Sequence, residues 1–371
     1  MANIFDYISW RGDLDFAQDP LNPVDNIIFS QLSYVPLDGI VPGPDEGNSI
    51  SITQAAEIFT EKMRSSSPQM RQAITYKEDP AFISALGNCG RFGNCRLSGY
   101  VNHIDAALGK QFCALCINTG TDSFFIAYRG TDATIVGWKE DFNMSFSETV
   151  PSQLEAVKYL EKIAGAVTGP LRLGGHSKGG NLAVYAASFC DRETSGRITD
   201  IYTNDAPGFH RHVIESEGYR AIRDRIRSFV PQSSIVGMLL EHDSDYSVIK
   251  SVQTGLMQHD LYTWEVTHNN MVPADGVSQR HRFVDKTLRD WIAGLNYDQR
   301  QRFTEALFTI LNTAQVKSMH ELTADWFKTA GLMLQSLGNV DESTRKVIGK
   351  TLASLFRSAR KNITLLKPQD K

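Results

Sequence analysis

The alternation of apolar and polar positions changes character near residue 111. Gln111 to Ile117 and Ser123 to Tyr128 are short apolar runs around Asn118-Thr119-Gly120-Thr121-Asp122, which predicts two strands joined by a hairpin turn. Pro151 and Ser152 open a helix over about 151–166, with Leu154, Val157, Leu160 and Ile163 as its apolar stripe. Leu171-Arg172-Leu173 reads as a strand, and a helical run follows from Asn181 to Cys190. Ile198 to Thr203, Ile226 to Val230 and Trp264-Glu265-Val266 are further strand candidates. Strands alternating with helices predict an α/β architecture with a mainly parallel central sheet.

Residues 1–110 read as irregular and helical. A loop enters a helix at Pro23 to Phe29, two prolines and two glycines mark a loop from Pro42 to Asn48, and Ser51 is placed to cap another helix. From Phe283 the pattern is helical to the end. Val284, Leu288, Trp291 and Ile292 share one face, Phe303, Leu307 and Ile310 another, and segments around 321–337 and 342–362 continue the habit. The expected organisation is one domain over 1–295, with a helical N-terminal region, and a helical C-terminal extension over 296–371.

Composition narrows the function classes only modestly. The chain has 371 residues, is 42% hydrophobic and 22% charged, and has a formal net charge of -4, with no sign of a nucleic-acid partner. The start of the chain lacks the basic and apolar regions of a secretory signal, and no run of about 20 apolar residues predicts a transmembrane helix. The expected location is cytoplasmic. Lys and Arg at 345, 346, 350, 357, 360 and 361 read as a solvated helix face. Cys89, Cys95, Cys113 and Cys116 raise a zinc site, but Cys113 and Cys116 fall on one strand, where residues three apart face opposite ways. Free thiols are expected, and no metal or organic cofactor is implied.

The segment with chemistry in it is Gly175-His176-Ser177-Lys178-Gly179. G-x-S-x-G gains meaning from a strand before it and a helix after it, because the serine then stands on a sharp bend. Both flanks are present here. Ser177 is the candidate nucleophile, and the backbone N–H of Lys178, at a helix N-terminus, is placed to stabilise an oxyanion.

Taken together, FFIAYRGTDATIVGWKEDF and LRLGGHSKGGNLAVYAA resemble the class 3 lipases. Those proteins carry an aromatic-Arg-Gly-Thr strand end, a Trp and an Asp, and then Gly-His-Ser-Leu-Gly-Gly. The resemblance covers about residues 111–270, says little of 1–110 and nothing of 296–371. It implies an α/β-hydrolase fold, a second oxyanion donor at Thr131, and structural roles for Arg129 and Asp141. Lys178 stands where those lipases carry Leu, which argues against a purely greasy substrate.

A serine nucleophile needs an imidazole base and a carboxylate to orient it, in the chain order Ser, acid, His for this fold. Asp205, at the end of the strand after the nucleophile's helix, is the first choice of acid, with Asp243 and Asp245 as alternatives. In the resemblance the acid stands one strand later, but the matching segment, Pro231 to Gly237, holds serines and no carboxylate. His259 is the first choice of base, because Gly255 to Val266 resembles the lipase ending. His268 follows it, with His242 and His281 also downstream, the latter expected to cap a helix. His176 is expected to pack under the bend, and His210 and His212 lie too near Asp205. The expected function is hydrolysis of carboxylic esters, with a small acyl ester or lipid as substrate. The alternative is a non-catalytic scaffold that serves as an interaction protein.

Overall fold

A computed structural model describes residues 1–65, 74–105, 107–132, 135–144, 147–234, 236–238, 240–241, 243, 245–274 and 276, scattered positions between 283 and 305, and 342–362. Its centre is an eight-stranded sheet in the order β1 to β8. The strands are β1 Ile50–Ser51, β2 Arg96–Asp105, β3 Lys110–Asn118, β4 Phe124–Tyr128, β5 Leu171–His176, β6 Ile198–Asn204, β7 Ile226–Pro231 and β8 Tyr246–Ile249. β1 with β2 and β3 with β4 are antiparallel pairs, whereas β4 through β8 run parallel. The α/β expectation with a mainly parallel sheet holds.

The hairpin forms as its sequence predicts, with Ala114 opposite Tyr128 and Asn118 opposite Phe124. Along β3, Cys113, Leu115 and Ile117 enter one core and Phe112, Ala114 and Cys116 the other. Period-two alternation therefore buries apolar side chains on both faces. Cys113 and Cys116 are held in opposite layers, and all five cysteines are free thiols. Among the described residues no cluster of metal-ligating side chains forms.

The helices of the N-terminal part include α1 Ile4–Arg11, α2 Pro23–Leu32, α3 Ile52–Ser65 and α4 Asp79–Gly87. Ser51 and Gln54 cap α3 reciprocally, Gln54 N donating to Ser51 Oγ at 3.1 Å and Ser51 N to Gln54 Oε1 at 3.1 Å. The N-terminal region is not only helical, because Arg96–Asp105 is a strand. Its polar residues Ser98, Asn102 and His103 break the alternation that would announce it. On the other face lie α5 Pro151–Ala166 and α6 Lys178–Phe189. In α5 the buried face differs from the expected stripe: Leu154 is 53% exposed, and Ala156, Tyr159, Leu160 and Ile163 pack inward. Tyr159 turns inward because its hydroxyl donates to the Gly99 carbonyl at 2.8 Å. The strand expected at 264–266 shrinks to a ribbon of β9 Val266–Thr267 and β10 Asn270–Met271, while Trp264 is fully buried.

α2 is buried on all sides although it carries Asp25, Asn26, Ser30 and Gln31. Burial of polar groups is tolerable where partners replace water. Asp25 receives Arg91 in a two-pronged ion pair, Nε to Oδ1 at 2.9 Å and Nη2 to Oδ2 at 2.6 Å, and also the Tyr7 hydroxyl at 3.0 Å. Burial pushes the Asp25 carboxyl up, and the Arg91 hydrogen bond and charge oppose that push. Arg91 also donates to the carbonyls of Leu14 and Asp19 and lies 4.1 Å over the Phe16 ring.

The chain divides into two compact units. The first comprises Met1–His103, Phe112–Gly130 and Ser152–Val277, and the second Ile104–Gln111, Thr131–Pro151 and Ser278–Lys371. Within the second, the helix Ile135–Met144 carries Glu140, which accepts from Gln111 N at 3.0 Å. The helix Glu342–Asn362 forms where the sequence predicts, with Trp291 Nε1 donating to Thr351 O at 3.0 Å. Arg345, Lys346, Lys350, Arg357, Arg360 and Lys361 are exposed on it. The expected faces built on Val284, Leu288, Ile292, Phe303, Leu307 and Ile310, and the segment 321–337, lie outside the described residues. No helix among the described residues is long and apolar enough to cross a membrane.

Arg91→Ala strands the buried Asp25 carboxylate, so it is expected to destabilise the fold by about 3–5 kcal/mol. Urea unfolding followed by circular dichroism measures this, and adding Asp25→Asn to the variant is expected to recover part of the loss.

Candidate active site

Ser177 links β5 to α6 with φ 57° and ψ -132°, a conformation that side-chain-bearing residues rarely adopt. Its N–H donates to Asn204 O at 2.9 Å and its carbonyl accepts from Gly180 N at 3.0 Å. The bend is possible because neighbouring residues have no side chains. A Cβ on Gly179 would collide with the Tyr128 carbonyl, and one on Gly175 with both Gly179 and Tyr128. The helix start therefore lies directly on β4 and β5. α6 begins at Lys178, three residues before its apolar pattern becomes legible, because glycines conceal its first turn.

Under the bend is a polar floor. Asn204, at the end of β6, donates to Gly175 O, Asn26 Oδ1 and Ser30 Oγ, each at 3.1 Å, and accepts from Asn26 Nδ2 at 2.9 Å. The buried side of α2 thus braces the turn that holds the serine. His176 is fully buried, with Nδ1 3.0 Å from the Tyr34 hydroxyl. Burial, then the neighbouring His259, holds its ring well below the ordinary histidine range, so it is a neutral packing group.

Asp205 and His259 meet. Asp205 follows β6 with φ 48°, its N–H donating to Phe229 O at 2.8 Å, which turns its side chain along the carboxyl edge of the sheet. His259 Nδ1 lies 2.6 Å from Asp205 Oδ2, and the carboxylate is almost completely buried. The other carboxylate oxygen takes the Ser234 hydroxyl and, at 3.1 Å, Gly237 N. The His259 ring packs over that of His176, centroids 4.3 Å apart, one residue from Ser177. With Nδ1 committed to the carboxylate, Nε2 is the ring nitrogen suited to take a proton.

The loop bearing His259 is pinned on both sides. Gln258 accepts from Ser233 N at 2.7 Å, and Trp264 Nε1 donates to Gln258 O at 2.8 Å. Tyr262 stacks on Phe5 with centroids 5.6 Å apart and donates to Asp79 Oδ1 at 2.8 Å. Burial raises the Asp79 carboxyl to about 6.

The remaining candidates are dispersed. Asp243 sits 3.3 Å from Arg223, and Asp245 is exposed. His268 is an exposed turn residue 3.2 Å from the Thr267 hydroxyl, and His210 and His212 pack on each other at 6.1 Å. His242 and His281 lie outside the described residues. The Lys178 side chain is buried and its backbone opens α6. Arg129 braces its strand end, Nη2 donating to Asn102 Oδ1 at 2.9 Å. Gly130 has no room for a Cβ against Tyr34, the His176 carbonyl and Ser177. Thr131, next in the chain, gives its hydroxyl to Asp141. Asn26, Ser30, Tyr34, Asn204 and Ser234 carry no motif, and only their shared burial marks them.

The Mbeg1-like family model matches residues 86–309, and the chain belongs to that family. No curated protein matches it. Solved structures similar to it include M37 lipase, at 17% identity, covering 58% of this chain and 69% of that one, with a TM-score of 0.33. The lipase from Rhizopus microsporus var. chinensis is 13% identical, covering 65% and 90%, with a TM-score of 0.35. The native Rhizomucor miehei lipase propeptide complex is 15% identical, covering 54% and 70%, with a TM-score of 0.28. Likeness at this level assigns no activity to the chain.

Because its carboxyl is raised from 3.8 to about 6, Asp79 holds a proton more tightly in the folded chain than in the unfolded one. Its stabilising share is full below about pH 4 and is lost as pH rises through about 6. Asp79→Asn is therefore expected to flatten the fall in urea midpoint between pH 4.5 and 7.5. Equal slopes for variant and parent would show that Asp79 does not titrate in this range.

Proposed function

We propose that this chain is a serine hydrolase of the α/β-hydrolase fold that cleaves carboxylic esters through an acyl-enzyme. Ser177 Oγ attacks the acyl carbonyl while His259 Nε2 takes its proton, and the alkoxide leaves with that proton returned from the imidazolium. Asp205 fixes the tautomer through Nδ1 and stabilises the ring while it is charged. Water, deprotonated by the same imidazole, then releases the acid and restores Ser177. The Lys178 N–H serves as an oxyanion donor, with the favourable end of the α6 dipole behind it. The Thr131 N–H is the second donor, as the sequence resemblance implies.

One observation supports this reading above the others. A buried carboxylate lies 2.6 Å from an imidazole that rests on the ring next to a strained serine. Strain of that kind persists where surrounding packing enforces it, and such residues concentrate at reactive sites. The substrate class is a small acyl ester or a lipid. A cytoplasmic location is part of the proposal, on the sequence alone.

Ser177→Ala is expected to abolish turnover of a short-chain p-nitrophenyl ester and labelling by a fluorophosphonate probe, with the circular dichroism spectrum unchanged. Asp205→Asn is expected to lower kcat by about 10⁴-fold, as when an orienting carboxylate is lost elsewhere. A parent protein that neither reacts with the probe nor cleaves an activated ester would leave only the interaction scaffold.

A further inference from the structure

The acid of the proposed triad is not held by its own strand alone. We infer that Ser234 is a positioning residue that sets the rotation of the Asp205 carboxylate and so aims it at His259; this rests on the hydrolase reading above. Ser234 is buried, in the loop that follows β7. Its hydroxyl donates to Asp205 Oδ1 and accepts from Gly237 N at 2.9 Å, while Gly237 N also reaches Oδ1 at 3.1 Å. The direction of each bond is fixed by chemistry, since the peptide N–H only donates and the carboxylate only accepts. One carboxylate oxygen is therefore saturated by the loop, and the other is presented to His259 Nδ1 at 2.6 Å.

The same loop is tied to the base. Ser233 N donates to Gln258 Oε1 at 2.7 Å, and Gln258 precedes His259 and is itself held through Nε2 on Gln253 O at 2.7 Å. The loop after β7 thus touches the acid and the residue before the base from one short stretch, Ser234 holding Asp205 and Ser233 holding Gln258. Gly237 fits because a Cβ there would collide with Asp205 Oδ1 and crowd Ser234 Oγ.

The test pairs kinetics with proton NMR on the full chain. Ser234→Ala is expected to lower kcat about tenfold, the scale of one hydrogen bond to a charged group, with KM unchanged. In the same variant the downfield Nδ1–H resonance of His259 is expected to move upfield and broaden, and Ser234→Thr, which keeps the hydroxyl, restores both. An unchanged resonance in Ser234→Ala overturns the inference, whether or not kcat falls. A parent protein without ester turnover sinks the hydrolase reading instead, and the resonance still reports whether Ser234 governs the Asp205–His259 pair.

Discussion

The interaction on which the site depends is steric: the carbonyl of Tyr128 passes so close to Gly179 and Gly175 that no side chain fits between strand and helix. That approach lets α6 start immediately after β5. It also forces Ser177 into a left-handed backbone conformation, which lifts its side chain away from the pleat. Glycine at these positions buys the geometry at the expense of chain entropy.

The bend is held from beneath by polar contacts rather than by apolar packing alone. Asn204 and Asn26 exchange hydrogen bonds, and Asn204 also secures the Gly175 carbonyl. A buried amide network of this sort is tolerable only when its members are satisfied, and it then specifies one arrangement of helix against sheet. α2 is committed at several points: Asp25 is locked to Arg91, Asn26 to Asn204 and Gln31 to Asp79. Asp79 in turn takes the hydroxyl of Tyr262, three residues after His259. The N-terminal helices therefore connect the floor under the serine with the loop that carries the imidazole.

Successive strands contribute in order along the carboxyl edge of the sheet. Ser177 follows β5, Asp205 follows β6, Ser234 follows β7 and His259 follows β8. Parallel neighbours deliver their carboxyl ends to one edge, which is why groups far apart in sequence converge there.

By itself, the sequence determined what short-range pattern can encode. Alternation over β3 and β4 marked the hairpin, glycines and a helical run marked the bend at Ser177, and Ser51 marked a helix start, because each signal is complete within a few residues. β2 was hidden by Ser98, Asn102 and His103, and Leu154 misdirected the reading of α5, because a neighbour elsewhere in the chain selects the buried face. Asn26, Asn204, Tyr34 and Ser234 were invisible as site residues, since an uncharged polar side chain has no local signature until burial gives it a partner. Tertiary structure alone decided that Asp205 faces His259 while Asp243 turns to Arg223. The physical reason is that a carboxylate's partner is chosen by the strand edge and loop presented to it, and composition near the residue says nothing about either.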